Sequence, residues 1–142
     1  MARGTLQLDE LVAAAFAVRE HAYVKASGFR VGAAVRTRDG RVFTGCNVEN
    51  ASYGLTICAE RAAVCAAVAA GAREIVAVAV ATGLVQPASP CGACRQVLAE
   101  FRPRRGDMVV VLAGSRGRRQ RLALATLLPR AFTFGDVAKG RG

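Results

Sequence analysis

Apolar side chains return at helical intervals through residues 6–24, where Leu8, Leu11, Val12, Ala15, Phe16 and Arg19 share a face and the charges fall on others. That pattern predicts a helix laid over an apolar surface. Residues 29–37 and 41–48 instead read as two strands, joined through Arg38-Asp39-Gly40, where Asp-Gly is a hairpin signal. An alanine-rich run over 59–70 predicts a helix stopped by Gly71. Residues 74–81, short and rich in valine, read as a buried strand. Ser89-Pro90 reads as an N-cap and first helical position, opening a second helix that runs to Phe101 before Pro103. Residues 108–113 predict another buried strand, and Ser115-Arg116-Gly117 turns the chain into a short strand near Arg121 and Leu122. A short helix is expected over 125–129 and a mobile tail over 135–142.

Strand, helix, strand, helix, strand between 41 and 113 implies parallel neighbours joined by crossovers, with a hairpin at each end. The expected fold is α/β: a three-layer α/β/α sandwich around a mixed five-stranded sheet. Both interior helices follow strands, so their N-termini face the carboxyl edge of the sheet, where open α/β folds place ligands.

The composition narrows this picture without changing it. A chain of 142 residues with 53% hydrophobic content fits one domain over 1–142. No stretch approaches the roughly 18 apolar residues of a membrane span, and the N-terminal residues carry no long apolar run, so a cytoplasmic protein without a membrane partner is expected. The net charge of +10 raises nucleic acid as a partner, but there are two tyrosines and no tryptophan to stack on bases. The charge reads as a solvated basic surface, with specific nucleic-acid binding not expected.

Five cysteines in a chain with no secretion signal point to metal binding and free thiols rather than disulfides. Cys58-Ala59-Glu60 and, farther on, Pro90-Cys91-Gly92-Ala93-Cys94 resemble the three-cysteine form of the zinc nucleobase deaminase signature. The physical case is independent of that likeness. Catalytic zinc takes three protein ligands and leaves a fourth position to water, and Cys58, Cys91 and Cys94 make three. Three thiolates around a divalent ion leave a net charge of minus one, a poor Lewis acid. Two positive helix ends and Arg61, one turn past Cys58, offset it. Glu60 is the natural proton carrier, provided that the ion sits off the first turn and the carboxylate leans over it. Cys46 and Cys65 read as small packing residues, and His21 as a surface or interface group. The polar run from Gly45 to Tyr53 reads either as a holder of substrate hydroxyls or as an Asn-rich turn closing the strand.

Taken together and in order, five motifs make the chain resemble the small, homotetrameric, zinc-dependent cytidine deaminases over residues 8–134. They are Phe29-Arg30-Val31-Gly32-Ala33-Ala34, the segment from Gly45 to Tyr53, Cys58-Ala59-Glu60-Arg61, Pro90-Cys91-Gly92-Ala93-Cys94-Arg95-Gln96, and Leu127-Leu128-Pro129-Arg130-Ala131-Phe132. Where the family has Pro-Tyr-Ser ahead of Phe29, this chain has Lys25-Ala26-Ser27. The resemblance implies Cys58, Cys91 and Cys94 as ligands of one zinc ion per subunit, Glu60 as proton shuttle and Arg61 as the offset to thiolate charge. It implies Asn47 and Glu49 on the ribose, the Ala59 N–H on the ring carbonyl, and Phe29 and Phe132 against the pyrimidine, with Phe132 and Tyr53 reaching across subunit boundaries. The activity implied is hydrolysis of cytidine and 2′-deoxycytidine to the uridine nucleosides and ammonia, in pyrimidine salvage. Rival readings are deamination of another aminated heterocycle or of cytosine in single-stranded nucleic acid, and a noncatalytic zinc-stabilised module.

Overall fold

Valines and alanines alternate along the central strands, and the alternation sorts them onto two differently shaped faces. In the computed structural model, which describes residues 2–140, the elements are α1 (Ala2–Arg19), β1 (Val31–Thr37), β2 (Val42–Cys46), a 3-10 turn (Tyr53–Leu55), α2 (Ala59–Ala69), β3 (Ile75–Thr82), α3 (Gly92–Glu100), β4 (Val109–Ala113), β5 (Arg119–Ala123), α4 (Leu124–Leu127) and α5 (Phe134–Lys139). One face of the sheet offers Val35, Val78, Val80, Val110 and Leu112 to α2 and α3. The other offers mainly Ala34, Ala77, Ala79, Ala81 and Ala113 to Leu11, Val12 and Ala15 of α1. The expected α/β/α sandwich is therefore present, its thicker core on the α2/α3 side.

Small residues also set how closely the helices approach. A Cβ at Gly32 would lie 2.0 Å from the Ala15 carbonyl oxygen, so α1 rests on backbone there. A Cβ at Gly45 would lie 2.4 Å from the Ala63 nitrogen and 2.6 Å from the Ala59 oxygen. Gly45 thus lets the first turn of α2 sit directly on β2, which fixes where Cys58 begins that helix.

The sheet is mixed and five-stranded in the order β2-β1-β3-β4-β5. Only β3 and β4 are a parallel pair; β1 runs antiparallel to both β2 and β3. The crossover through α2 was expected to join neighbours. Instead β1, buried on both faces, occupies the place between β2 and β3, and β2 takes the edge. The hairpin determines this: β1 gives one edge to β2, and its other edge is the place left for β3.

Other boundaries move as well. The first helix ends at Arg19 rather than near residue 24, so exposed His21 sits in the turn after it and Tyr23 bridges Val48. Cys91, not Ser89, is the N-cap of α3. The stretch read as a tail contains α5, opened by a capping box in which the side chains of Thr133 and Asp136 each bond the other's backbone N–H; residues 141–142 lie outside the described residues. Cys46 is half-buried, and Cys65, expected inside, is exposed on α2.

Candidate active site

Two helices begin with cysteine at the same end of the sheet. Cys58 caps α2 with φ −73° and ψ 150°, Cys91 caps α3 with φ −64° and ψ 165°, and neither side chain bonds its own helix end. An N-cap side chain ordinarily satisfies the free N–H groups of the first turn; here both sulfurs turn toward each other, 4.0 Å apart. Cys94, buried in the first turn of α3, completes a trio whose sulfurs all lie within 4.8 Å of one another. Tetrahedral zinc with Zn–S bonds of about 2.3 Å needs sulfurs about 3.8 Å apart, so a small closure would seat it. Among the described residues no fourth histidine, cysteine or carboxylate joins the group. The donor set therefore fits zinc with one position left open, and the two positive helix ends face the sulfurs.

Glu60 follows Cys58 by two residues yet reaches the trio, because Cys58 is extended and the helix begins only at Ala59. Its carboxylate is buried and accepts from the Cys94 thiol at 3.6 Å. Burial pushes the Glu60 carboxyl above the ordinary carboxylate range, while its own backbone N–H, the Cys94 thiol and the Arg61 charge pull the other way less strongly. Burial and then the neighbouring Glu60 raise the Cys94 thiol. At Cys91 burial opposes ionisation, but the Cys94 N–H and the other two thiols outweigh it and the thiol is lowered. Arg61 donates from Nη2 to Cys58 Sγ at 3.4 Å and to the Thr56 carbonyl at 3.2 Å. Bonding to the Cys58 sulfur holds the guanidinium more firmly protonated, and its Nε is buried without a partner. A fixed positive charge thus lies against the sulfurs.

Beside the trio is a cavity of about 230 Å³. Cys58, Ala59, Glu60 and Cys91 form one end; Phe29, Val31, Val80 and Ala88 give apolar walls; Asn47, Thr56, Thr82 and Ser89 add polar groups. An apolar slot with a few convergent polar groups suits a small ring. Asn47, 9% exposed, accepts at Oδ1 from the Val31 N–H (2.9 Å) and donates from Nδ2 to the Phe29 carbonyl (2.8 Å), so one amide hydrogen and one lone pair are left for a ligand.

The remaining expected contacts are not brought together in one chain. Glu49 and the exposed Tyr53 border a separate depression with Tyr23, Lys25 and Ala26. Glu49 accepts there from the Ala26 and Ser27 N–H groups and from the Ser27 hydroxyl, and that hydroxyl, chief among these donors, holds its carboxyl below the usual range. Phe132 is 64% exposed and lines neither hollow; its carbonyl accepts from Gln96 Nε2 at 2.8 Å.

Two features escape the sequence. Thr82 lines the cavity, and the signal for it is a polar residue ending the apolar run of β3. Arg95 donates to the Pro90 carbonyl (2.8 Å), the Leu127 carbonyl (2.7 Å) and Ser89 Oγ (2.8 Å), clamping the loop before Cys91. No spacing rule foretells such a clamp.

Residues 6–112 match the family described as the cytidine and deoxycytidylate deaminase zinc-binding region. The chain is 49% identical over 127 residues to a cytidine deaminase of Halalkalibacterium halodurans, covering 89% of this chain and 95% of that one. The crystal structure of a cytidine deaminase from Burkholderia pseudomallei superposes with a TM-score of 0.82 at 50% identity, covering 87% of this chain and 98% of that one. That of Mycobacterium tuberculosis gives 0.73 at 44% identity, with 89% and 97% covered.

Proposed function

The chain belongs to the cytidine and deoxycytidylate deaminase family, and on that premise we propose that Cys58, Cys91 and Cys94 hold its zinc ion, that Glu60 carries the protons, and that the substrate is free cytidine or 2′-deoxycytidine. The protein is a zinc-dependent enzyme that adds water to cytidine and releases uridine and ammonia. Zinc held by the three sulfurs would supply Lewis acidity, lowering the pKa of a water from its bulk value toward neutrality.

The chain's own groups do the rest. Glu60 takes a proton from the attacking water and delivers it to ring N3 as oxygen adds at C4. A second transfer through Glu60 carries the proton of the new C4 hydroxyl to the amino nitrogen; the C–N bond breaks, ammonia leaves and C4 keeps its oxygen as the carbonyl of uridine, so that water in and ammonia out balance. A buried carboxylate with a raised pKa is suited to accepting and returning a proton near neutral pH. The Ala59 N–H holds the ring carbonyl oxygen, Phe29 and Val31 cover the ring, and Asn47 with Glu49 meets the ribose. Arg61 offsets thiolate charge. Rate enhancement comes from holding the tetrahedral adduct more tightly than the flat ring.

Assembly as a homotetramer accompanies this reading. Tyr23, Val48, Tyr53, Leu55 and Ile57 are exposed, and Tyr53 and Phe132 lie outside their own chain's cavity, where a neighbouring subunit would use them. Among the described residues no helix is long and apolar enough to cross a membrane. We place the enzyme in the cytoplasm, in pyrimidine salvage.

The observation that carries the reaction is the buried Glu60 carboxylate against the three-sulfur group. The rival substrate, cytosine in single-stranded nucleic acid, rests on the net charge of +10 alone. Ammonia release from cytidine, its monophosphate and single-stranded DNA, assayed with the parent and Glu60→Gln, tests both readings. Turnover is expected on the nucleoside alone, and the variant, with zinc still bound, should lose about 10²–10⁴-fold. Turnover by the variant within about tenfold of the parent contradicts the shuttle, and preference for DNA contradicts the substrate.

A further inference from the structure

Asn47 and Glu49, assigned above to the sugar, are also the side chains that fasten residues 26–31 to the end of β2. Glu49 Oε2 accepts from the Ala26 N–H at 2.7 Å and the Ser27 N–H at 3.1 Å. Glu49 Oε1 accepts from the Ser27 hydroxyl. The same hydroxyl oxygen accepts from the Phe29 N–H at 3.0 Å, and Asn47 Nδ2 bonds the Phe29 carbonyl. A carboxylate can only accept and a backbone N–H can only donate, so the direction of both Ser27 bonds is fixed. Gly28, with φ 68°, supplies the left-handed residue that reverses the chain between Ser27 and Phe29. One hydroxyl is thus bonded on one side to the carboxylate assigned to the sugar and on the other to the backbone of the aromatic wall of the ring cavity.

We propose that Ser27 is a positioning residue for substrate binding: its hydroxyl orients the Glu49 carboxylate and ties it to Phe29, so that the sugar and base ends of the nucleoside are recognised by one connected unit. The inference rests on the reading of Glu49 as the sugar ligand. The donor count supports it. Glu49 Oε2 already has two donors, whereas Oε1 has Ser27 alone and keeps a lone pair for a sugar hydroxyl. Without the Ser27 hydroxyl that oxygen loses its fixed direction and the Phe29 N–H loses its partner. Ser27 itself lies outside the ring cavity, so its effect must pass through its two neighbours.

The test is steady-state kinetics of the parent, Ser27→Ala, Ser27→Thr, Glu49→Ala and the Ser27→Ala/Glu49→Ala double variant, each on cytidine and on 2′,3′-dideoxycytidine, with zinc content measured alongside. Ser27→Ala should raise KM for cytidine about tenfold or more, the scale of a hydrogen bond to a charged group, with kcat within about twofold and zinc unchanged. Ser27→Thr, which keeps the hydroxyl, should retain the parent KM. The double variant should be no worse than Glu49→Ala, and the Ser27→Ala penalty should disappear on the dideoxynucleoside, which lacks the 2′ and 3′ hydroxyls of the sugar edge read as the partner of Glu49. If Glu49→Ala binds cytidine as the parent does, the sugar reading of Glu49 is wrong whatever Ser27 does. If Glu49→Ala is weakened but Ser27→Ala is not, the Ser27 inference alone is overturned. It is overturned too if the penalty persists on the dideoxynucleoside, adds to that of Glu49→Ala, or is not rescued by threonine.

Discussion

At Glu60 the needs of the reaction and of folding oppose each other. The folded chain raises its pKa by burial, so the folded state favours the protonated form. The stability this contributes is complete below the unfolded value of about 4.3 and is lost as pH rises through the folded value. Zinc-stripped protein should therefore be less stable at pH 8 than at pH 5, and stripped Glu60→Gln, nearly inactive when loaded, should lose less between the two. Urea unfolding at the two pH values checks this; parallel losses in both proteins would contradict it. The residues legible in the sequence are those with chemistry tied to backbone position: Cys58, Cys91, Cys94 and Glu60 sit at the N-cap or in the first turn of a helix, so their spacing nearly fixes their geometry. Asn47 and Glu49 were open to two readings because their side chains serve both a turn and a hollow, and the hydrogen bonds at each show the turn in place. Thr82 meets a cavity whose other walls are mostly remote in sequence, and Arg95 ties the loop before Cys91 to the distant Leu127 carbonyl, links that no local pattern encodes.

Elements reach the site through close backbone approach. The start of α2 is positioned by Gly45, where a Cβ would meet the Ala63 nitrogen at 2.4 Å. Gly45→Ala should cost about 1–3 kcal/mol, as overpacking does, and about 2–4 °C of melting temperature for each of those kcal/mol. Because the shift falls beneath Cys58, zinc should also leave faster to a chelator. Gly54→Ala is the control, since nothing lies within 4 Å of a Cβ there. Calorimetry with a chelator time course decides it; unchanged zinc retention in Gly45→Ala would mean that this contact does not position the metal end of α2. Helices and strands were legible from periodicity, and the three layers followed from their order. The neighbour of β3 was not, since alternation says which face of a strand is buried but not which strand lies beside it.

For the whole molecule, charge and site are separable. Ion pairs such as Arg41–Asp39 and Arg119–Asp9 are solvent-exposed and contribute little to stability. Arginines along the edge strand β5, at 119 and 121, keep that edge from pairing with another chain. These two arginines therefore have a structural reason that asks nothing of the site. On the proposed reading, the molecule's chemistry would come from a zinc ion held by three sulfurs with one position left open. X-ray absorption at the zinc edge of the purified protein tests that directly. The expected shell is three sulfurs at about 2.3 Å and one oxygen at about 2.0 Å, lost on Cys91→Ala substitution. Four protein ligands, or a shell unchanged in that variant, would contradict it.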